Sequence, residues 1–133
     1  MSTNATISRL LADGTVDTIY SHWDGYPEGV GRVLVESYNT EAQVQDLIAQ
    51  GDVSTLDHTL TGSEFYRDRG EDNTEAENFE LYEIEDCEEY NYLWACDEWL
   101  FSYQGVWYRL AYYLAAEVDD LRSHLAAKTP ELA

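Results

Sequence analysis

From Ala5 to Trp23, side chains alternate around Asp13-Gly14: Ile7 and Arg9 against Ser8 and Leu10, with Val16, Thr18 and Tyr20 continuing on the return. A period of two is that of a strand, and Asp-Gly supplies the positive φ of a tight turn, so residues 5–23 are expected to form a β-hairpin. The period then changes. Val30, Val33, Leu34 and Tyr38 recur at helical spacing behind Pro27, whose missing N–H costs nothing in a first helical turn. A second helix is marked by Thr40 with Gln43 as a capping box, by the stripe Val44, Leu47 and Ile48, and by Gly51 where a left-handed C-cap belongs.

Periodicity fades from Asp57 to Asn78, where Gly62, Gly70 and the polar cluster Glu71-Asp72-Asn73-Thr74-Glu75 indicate a long, exposed, mobile acidic loop. Four aromatic-rich strands are expected after it, at 79–85, 90–96, 99–104 and 106–112. Tyr90, Tyr92, Trp94 and Cys96 would share one face, and Trp99, Phe101 and Tyr103 would oppose Leu100, Ser102 and Gln104. Asp97-Glu98 and Gln104-Gly105 mark the connections. Leu114, Val118, Leu121 and Leu125 return to helical spacing, with Arg122 and Lys128 near the dipole-negative end. The expectation is one α+β domain over residues 1–133. Its antiparallel sheet, the N-terminal hairpin plus the C-terminal strands, carries two central helices and a C-terminal helix largely on one face.

Charge narrows the function. The 133 residues include 27 Asp or Glu and 7 Lys or Arg, a formal net charge of −20. Direct binding to nucleic acid or to an anionic membrane needs a basic footprint and is excluded as an expectation. With 44% hydrophobic and 14% aromatic residues, the chain is expected to fold rather than act as an acidic tail. No run approaches the ~20 apolar residues of a membrane span, and the first twelve residues lack the basic region of a signal peptide. An unprocessed cytoplasmic protein is therefore expected, with Asn4-Ala5-Thr6 a chance match to a glycosylation acceptor. Cys87 and Cys96 are too few for a disulfide scaffold and are expected to be buried thiols.

The most specific string is His22-Trp23-Asp24-Gly25-Tyr26-Pro27-Glu28-Gly29-Val30-Gly31. It lacks both a phosphate-loop ending and a dinucleotide pattern. Its glycines permit close backbone approach, and it is expected to be a rigid strand-to-helix corner with Trp23 and Tyr26 packed against the sheet. The alternative is an acid–base or ligand site built on His22, Asp24 and Glu28. This string, with Leu34, Tyr38 and the segment from Val44 to Ser54, resembles a family of small bacteriophage and prophage proteins of mostly uncharacterised function. The resemblance covers about the first 56 residues and recurs weakly at residues 66–71. It implies a phage protein acting in the cytoplasm of an infected bacterium, and it implies no catalytic residue and no activity.

The acids are also segregated. Residues 70–108 contain no Lys or Arg, while 71–98 hold twelve carboxylates. Carboxylates every second residue along a strand would lie about 6.6 Å apart and could imitate a line of phosphates. A host protein with a basic or nucleic-acid-binding surface is then the expected partner, met through Glu80, Glu83, Glu85, Asp86, Glu88, Glu89, Asp97 and Glu98. Exposed rings among Tyr82, Tyr90, Tyr92, Trp94, Trp99 and Trp107 would serve as anchors, most of these rings being core. The competing reading is a solvated face that only keeps the protein soluble.

Catalytic signals are weak. With 27 acids, close carboxylate pairs are unavoidable, so they do not identify a glycosidase. His22, His58 and His124 lack metal-ligand spacing, and the acidic segment 68–77 misses the calcium-loop pattern. No cofactor, no metal and no enzymatic activity are expected. A small-ligand or enzymatic site at the His22 corner and an oligomeric accessory role are the alternatives.

Overall fold

The computed structural model describes residues 2–115. The expected helical positions Val118, Leu121, Arg122, Leu125 and Lys128, and His124, lie outside the described residues. Eight strands form one sheet among the described residues: β1 (Ala5–Leu10), β2 (Thr15–Ser21), β3 (Val53–Thr55), β4 (Glu64–Phe65), β5 (Glu77–Glu80), β6 (Tyr90–Ala95), β7 (Glu98–Tyr103) and β8 (Val106–Arg109). The helices are α1 (Arg32–Ser37), α2 (Glu41–Ala49) and α3 (Leu110–Ala115). The chain is α+β, as expected.

The expected antiparallel hairpins form: β1 pairs with β2, and β6 with β7 and β7 with β8. The sheet is nonetheless larger and mixed. Its order is β4-β3-β2-β1-β6-β7-β8, and β1 runs parallel to β6. The outer edge of β2 is shared: β5 pairs antiparallel along Thr15–Thr18, and β3 meets it in parallel at Ser21.

That arrangement sets a length constraint. To pass from β5 to β6, the chain crosses over β2 and β1 and travels back from the Thr15 end to the Ala5 end, a diagonal of about 25 Å. Nine residues, Leu81 to Glu89, make the crossing. An α-helix of that length would cover about 14 Å, whereas an extended chain reaches about 30 Å. The crossing is therefore a strap, with a 3₁₀ turn at Leu81–Ile84 and no helix. The strand expected at 79–85 ends at Glu80 for this reason. At that point the Glu80 side chain takes the Glu83 backbone N–H while the Glu83 carboxylate takes the Glu80 N–H at 2.8 Å.

The two sheet faces are covered differently. On one, Ile7, Ile19, Tyr92, Trp94, Trp99, Phe101 and Tyr108 pack with Leu34, Val44, Leu47, Ile48, Leu110 and Leu114 from the three helices. The large rings bury their polar atoms with partners: Trp99 Nε1 donates to the Tyr38 carbonyl at 2.8 Å, and Tyr92 Oη to the Gly25 carbonyl at 2.6 Å. On the other face, Val16, Leu93 and Ile84 form a smaller apolar cluster with Leu10, Phe79, Ala95, Leu100 and Trp107. Ile84 belongs to the strap.

Several expected details change. Cys96 leaves the Tyr90 face because it forms the two-residue β6–β7 turn with Asp97, at φ 52° and 61°. Both positive values match the turn type that suits strand twist. Gln104-Gly105 makes the β7–β8 turn in the same way. The strand expected at 106–112 ends at Arg109, where α3 begins. The segment 57–78 is not a bare loop: it contains β4, a 3₁₀ turn at Tyr66–Arg69 and the start of β5, and Ser63, Phe65 and Thr74 are buried. Thr74 holds it down by accepting the Asp52 N–H at 2.7 Å.

Candidate interaction surface

Ile84 anchors the strap hydrophobically, and a row of polar side chains across the sheet latches it. Thr6, Asn91 and Ser102 are neighbours in register on adjacent strands, all buried. Asn91 accepts the Glu88 N–H through Oδ1 at 2.9 Å and donates from Nδ2 to the Glu88 carbonyl at 2.9 Å. Thr6 Oγ1 donates to the same Oδ1 at 2.8 Å, and Ser102 Oγ donates to the Glu85 carbonyl at 2.7 Å. Backbone groups of an irregular segment that would otherwise be orphaned over a sheet are thus paired with side chains.

The acids face outward from this frame. Glu80, Glu83, Glu85, Asp86 and Glu89 are exposed, and Glu88 is half-buried. Trp107 Nε1 tethers the Glu85 carboxylate at 3.2 Å. Asp97 and Glu98 are not on the strap: Asp97 is exposed on the β6–β7 turn, and Glu98 is ion-paired with Arg109 at 3.0 Å. A strand ladder of carboxylates is absent from the strap, since Glu83 to Glu89 lie in a 3₁₀ turn and an irregular segment. Among the rings, Tyr82 stands out at 70% exposure, whereas Tyr92, Trp94 and Trp99 are core. Tyr90 and Trp107 are half-buried.

Beneath the strap lies a cavity of about 180 Å³, lined by Thr6, Thr18, Tyr20, Asp52, Glu77, Cys87 and Glu88 among others. Burial raises the Glu88 carboxyl above its usual range. Asp52 is raised by burial and, more weakly, by Glu77 and Glu75, against the lowering bond from the Tyr20 N–H. Both cysteines are exposed, correcting the expectation of buried thiols. Partial burial, then Glu88, Asp86 and Glu77, push the Cys87 thiol up and favour its protonated form.

These shifts predict a pH dependence. Glu88 and Asp52 hold protons more tightly in the folded chain, so each contributes stability below the ordinary carboxylate range and loses it as pH rises through its raised value. Glu41 acts oppositely. Bonds from Arg9 and then Trp94 lower it, so its contribution is present at neutral pH and lost as pH falls through the lowered value. On acidification from neutral pH the raised pair takes up protons before Glu41 does. The thermal midpoint is expected to rise as that pair protonates, and Glu88→Gln to flatten the rise; circular dichroism melts check both.

The His22–Gly31 string forms the expected corner, with different detail. His22 and Trp23 N–H groups bond the Val53 and Ser54 carbonyls at 3.1 Å, extending β2 along β3. A Cβ at Gly25 would sit 2.7 Å from the Thr3 carbonyl oxygen, and one at Gly29 2.3 Å from that of Asp24. At Gly31 it would meet Leu110 and Tyr92. The glycines serve close approach, while the left-handed residue is Asp24 at φ 58°. Pro27 is buried and opens a single π turn, Pro27–Gly31, that runs into α1. Trp23 and Tyr26 are exposed, at 44% and 39%, and do not pack against the sheet as expected.

His22, Asp24 and Glu28 do not converge. The His22 ring bonds Tyr20 Oη at 2.7 Å and is absent from the lining of the cavity of about 200 Å³ that Trp23, Asp24, Glu28, Arg32, Val33 and His58 share with their neighbours. Among the described residues no group of three or more His, Cys, Asp or Glu is placed to hold a metal ion, and no helix is long and apolar enough to cross a membrane. Two features were missed by sequence reasoning, the anchor Ile84 and the Asn91 latch, whereas Tyr82 was among the rings expected as exposed anchors. Ile84 carried a signal, as an aliphatic residue set between Glu83 and Glu85. No family model, curated protein or solved structure matches this chain.

Proposed function

We propose that this is a non-catalytic phage protein that binds a host protein in the bacterial cytoplasm and inhibits or redirects it by occupying a cationic, nucleic-acid-binding surface. The observation that carries this reading is the strap, which carries five exposed carboxylates and the protruding Tyr82 on backbone latched to the sheet. Charges held on a fixed frame lose little entropy on binding. Their concentration accelerates encounter with a basic surface, and an exposed tyrosine supplies the desolvated anchor that charge alone does not. The mimicry is of charge density, because the carboxylates do not follow a strand repeat.

The test is affinity capture from the bacterial host followed by titration with the captured partner. Binding is expected to weaken steeply with salt and to exclude DNA from the partner. Replacing Glu80, Glu83, Glu85, Glu88 and Glu89 by Gln and Asp86 by Asn is expected to lower affinity by about 100-fold and to flatten the salt dependence. A partner without a cationic site, or affinity untouched by the six changes, overturns the proposal.

A further inference from the structure

At the end of the sheet where β6 begins, a cleft of about 350 Å³ is lined, among the described residues, by Tyr90, Phe101, Tyr103, Tyr108 and Tyr113 together with Gln104. Register explains the concentration of rings: Tyr90 lies opposite Tyr103, and Phe101 opposite Tyr108, on one face of adjacent strands. Tyr90 stacks on Tyr103 with centroids 4.8 Å apart, Phe101 stacks on Tyr108 at 5.1 Å, and Tyr113 from α3 closes edge-on to Phe101 at 5.2 Å. Rings packed on one another this way would ordinarily fill their space. Here they enclose a volume at the lower end of the range for small-ligand sites, about 300–1,000 Å³.

The electrostatics of the cleft select the ligand's charge. Among the described residues no Lys or Arg lines it. Burial, the neighbouring Tyr103 and then Glu89 push the Tyr90 hydroxyl up to about 12, with Glu28 adding in the same sense. An anion is therefore disfavoured, and the negative faces of aromatic rings attract cations. Gln104 donates from Nε2 to Tyr103 Oη at 3.3 Å, which leaves its amide oxygen as an acceptor at the wall. A flat, weakly hydrated guanidinium that stacks on rings and donates several N–H bonds fits these features better than a compact, strongly hydrated ammonium.

We infer that this aromatic cleft receives the guanidinium of an arginine side chain from the protein partner. The inference rests on the proposed binding to a cationic host surface and adds a second contact point, one that reads an individual arginine where the strap reads charge density. Glu89, the last residue of the strap, leads directly into Tyr90, but the strap crosses the Ile84 face of the sheet and the cleft opens on the helix-covered face, so a partner reaches both only around the end of the sheet where β6 begins.

The cleft can be tested without the partner by titrating the full chain with N-acetyl-L-arginine amide and following the tyrosine ring resonances. Saturable shifts at Tyr103 and Tyr113 are expected, with the neutral citrulline analogue binding at least about tenfold more weakly. Tyr103→Ala is expected to weaken the arginine probe by about tenfold, and Tyr103→Phe, which keeps the ring face, to stay within about twofold. Equal binding of the neutral analogue, equal loss in the Ala and Phe variants, or no saturable shift overturns the inference. Those outcomes leave the strap proposal standing. A cleft that takes the arginine probe in a protein whose captured partner has no cationic site overturns the strap proposal instead.

Discussion

Ile84→Ala is expected to destabilise the protein by about 3 kcal/mol, the middle of the range for emptying a buried aliphatic position. Ile84 has no exposed surface and joins Val16 and Leu93 in the smaller cluster. It is the one fully buried residue between Leu81 and Glu89. The alanine variant therefore loses more than transfer energy, because the strap has no second apolar anchor to hold the Glu80–Glu89 carboxylates against their mutual repulsion. Backbone amides of residues 82–89 should exchange faster than in the parent while those of β1, β6 and β7 keep their protection. Urea unfolding and hydrogen exchange measure both effects. A loss below about 0.5 kcal/mol, within the scatter of neutral surface changes, would show that the strap is held some other way.

Asn91→Ala is expected to cost a similar amount, about 3 kcal/mol, for a different reason. Its amide satisfies the Glu88 N–H and carbonyl, receives Thr6 Oγ1 and reaches Ser102 Oγ at 3.3 Å. Truncation leaves these groups facing a small cavity, and an unsatisfied buried polar group costs about 1–3 kcal/mol. Half-buried Glu88 can recover some of this from water, which keeps the total from being a simple sum. Because Ile84 and Asn91 hold the same nine residues, the double variant should lose less than the two single losses combined. Full additivity in urea unfolding would mean that anchor and latch act on independent segments.

Local rules made much of the fold legible. Alternation located β1 and β2, the Thr40–Gln43 pattern located α2, and Thr40 does accept the Gln43 N–H. The register of the aromatic strands was readable as well: Tyr92, Trp94, Trp99 and Phe101 share the helix-covered face, as their period of two required. Gly25 and Gly29 were correctly suspected of close backbone approach. Errors fell where a distant partner decides the outcome. Residues 81–85 have an aromatic, β-prone composition, yet a nine-residue diagonal crossing forces them out of a strand. Cys96 continues an alternating pattern, yet a turn without glycine ends the strand one residue before it.

The sequence by itself determined the charge, its concentration between residues 71 and 98 and the amphipathic periods, because each depends only on residue type and spacing. Tertiary structure decided what the charge rests on. Whether an acidic segment is a free loop, a strand ladder or a latched strap depends on the parallel pairing of β1 with β6 and on Asn91 and Ser102 meeting its backbone. Such contacts join residues through space, and composition carries no record of them. The rings divide in the same way: side-chain alternation places Tyr90, Phe101, Tyr103 and Tyr108 on one face, while only the packing of α3 brings Tyr113 across to close the cleft.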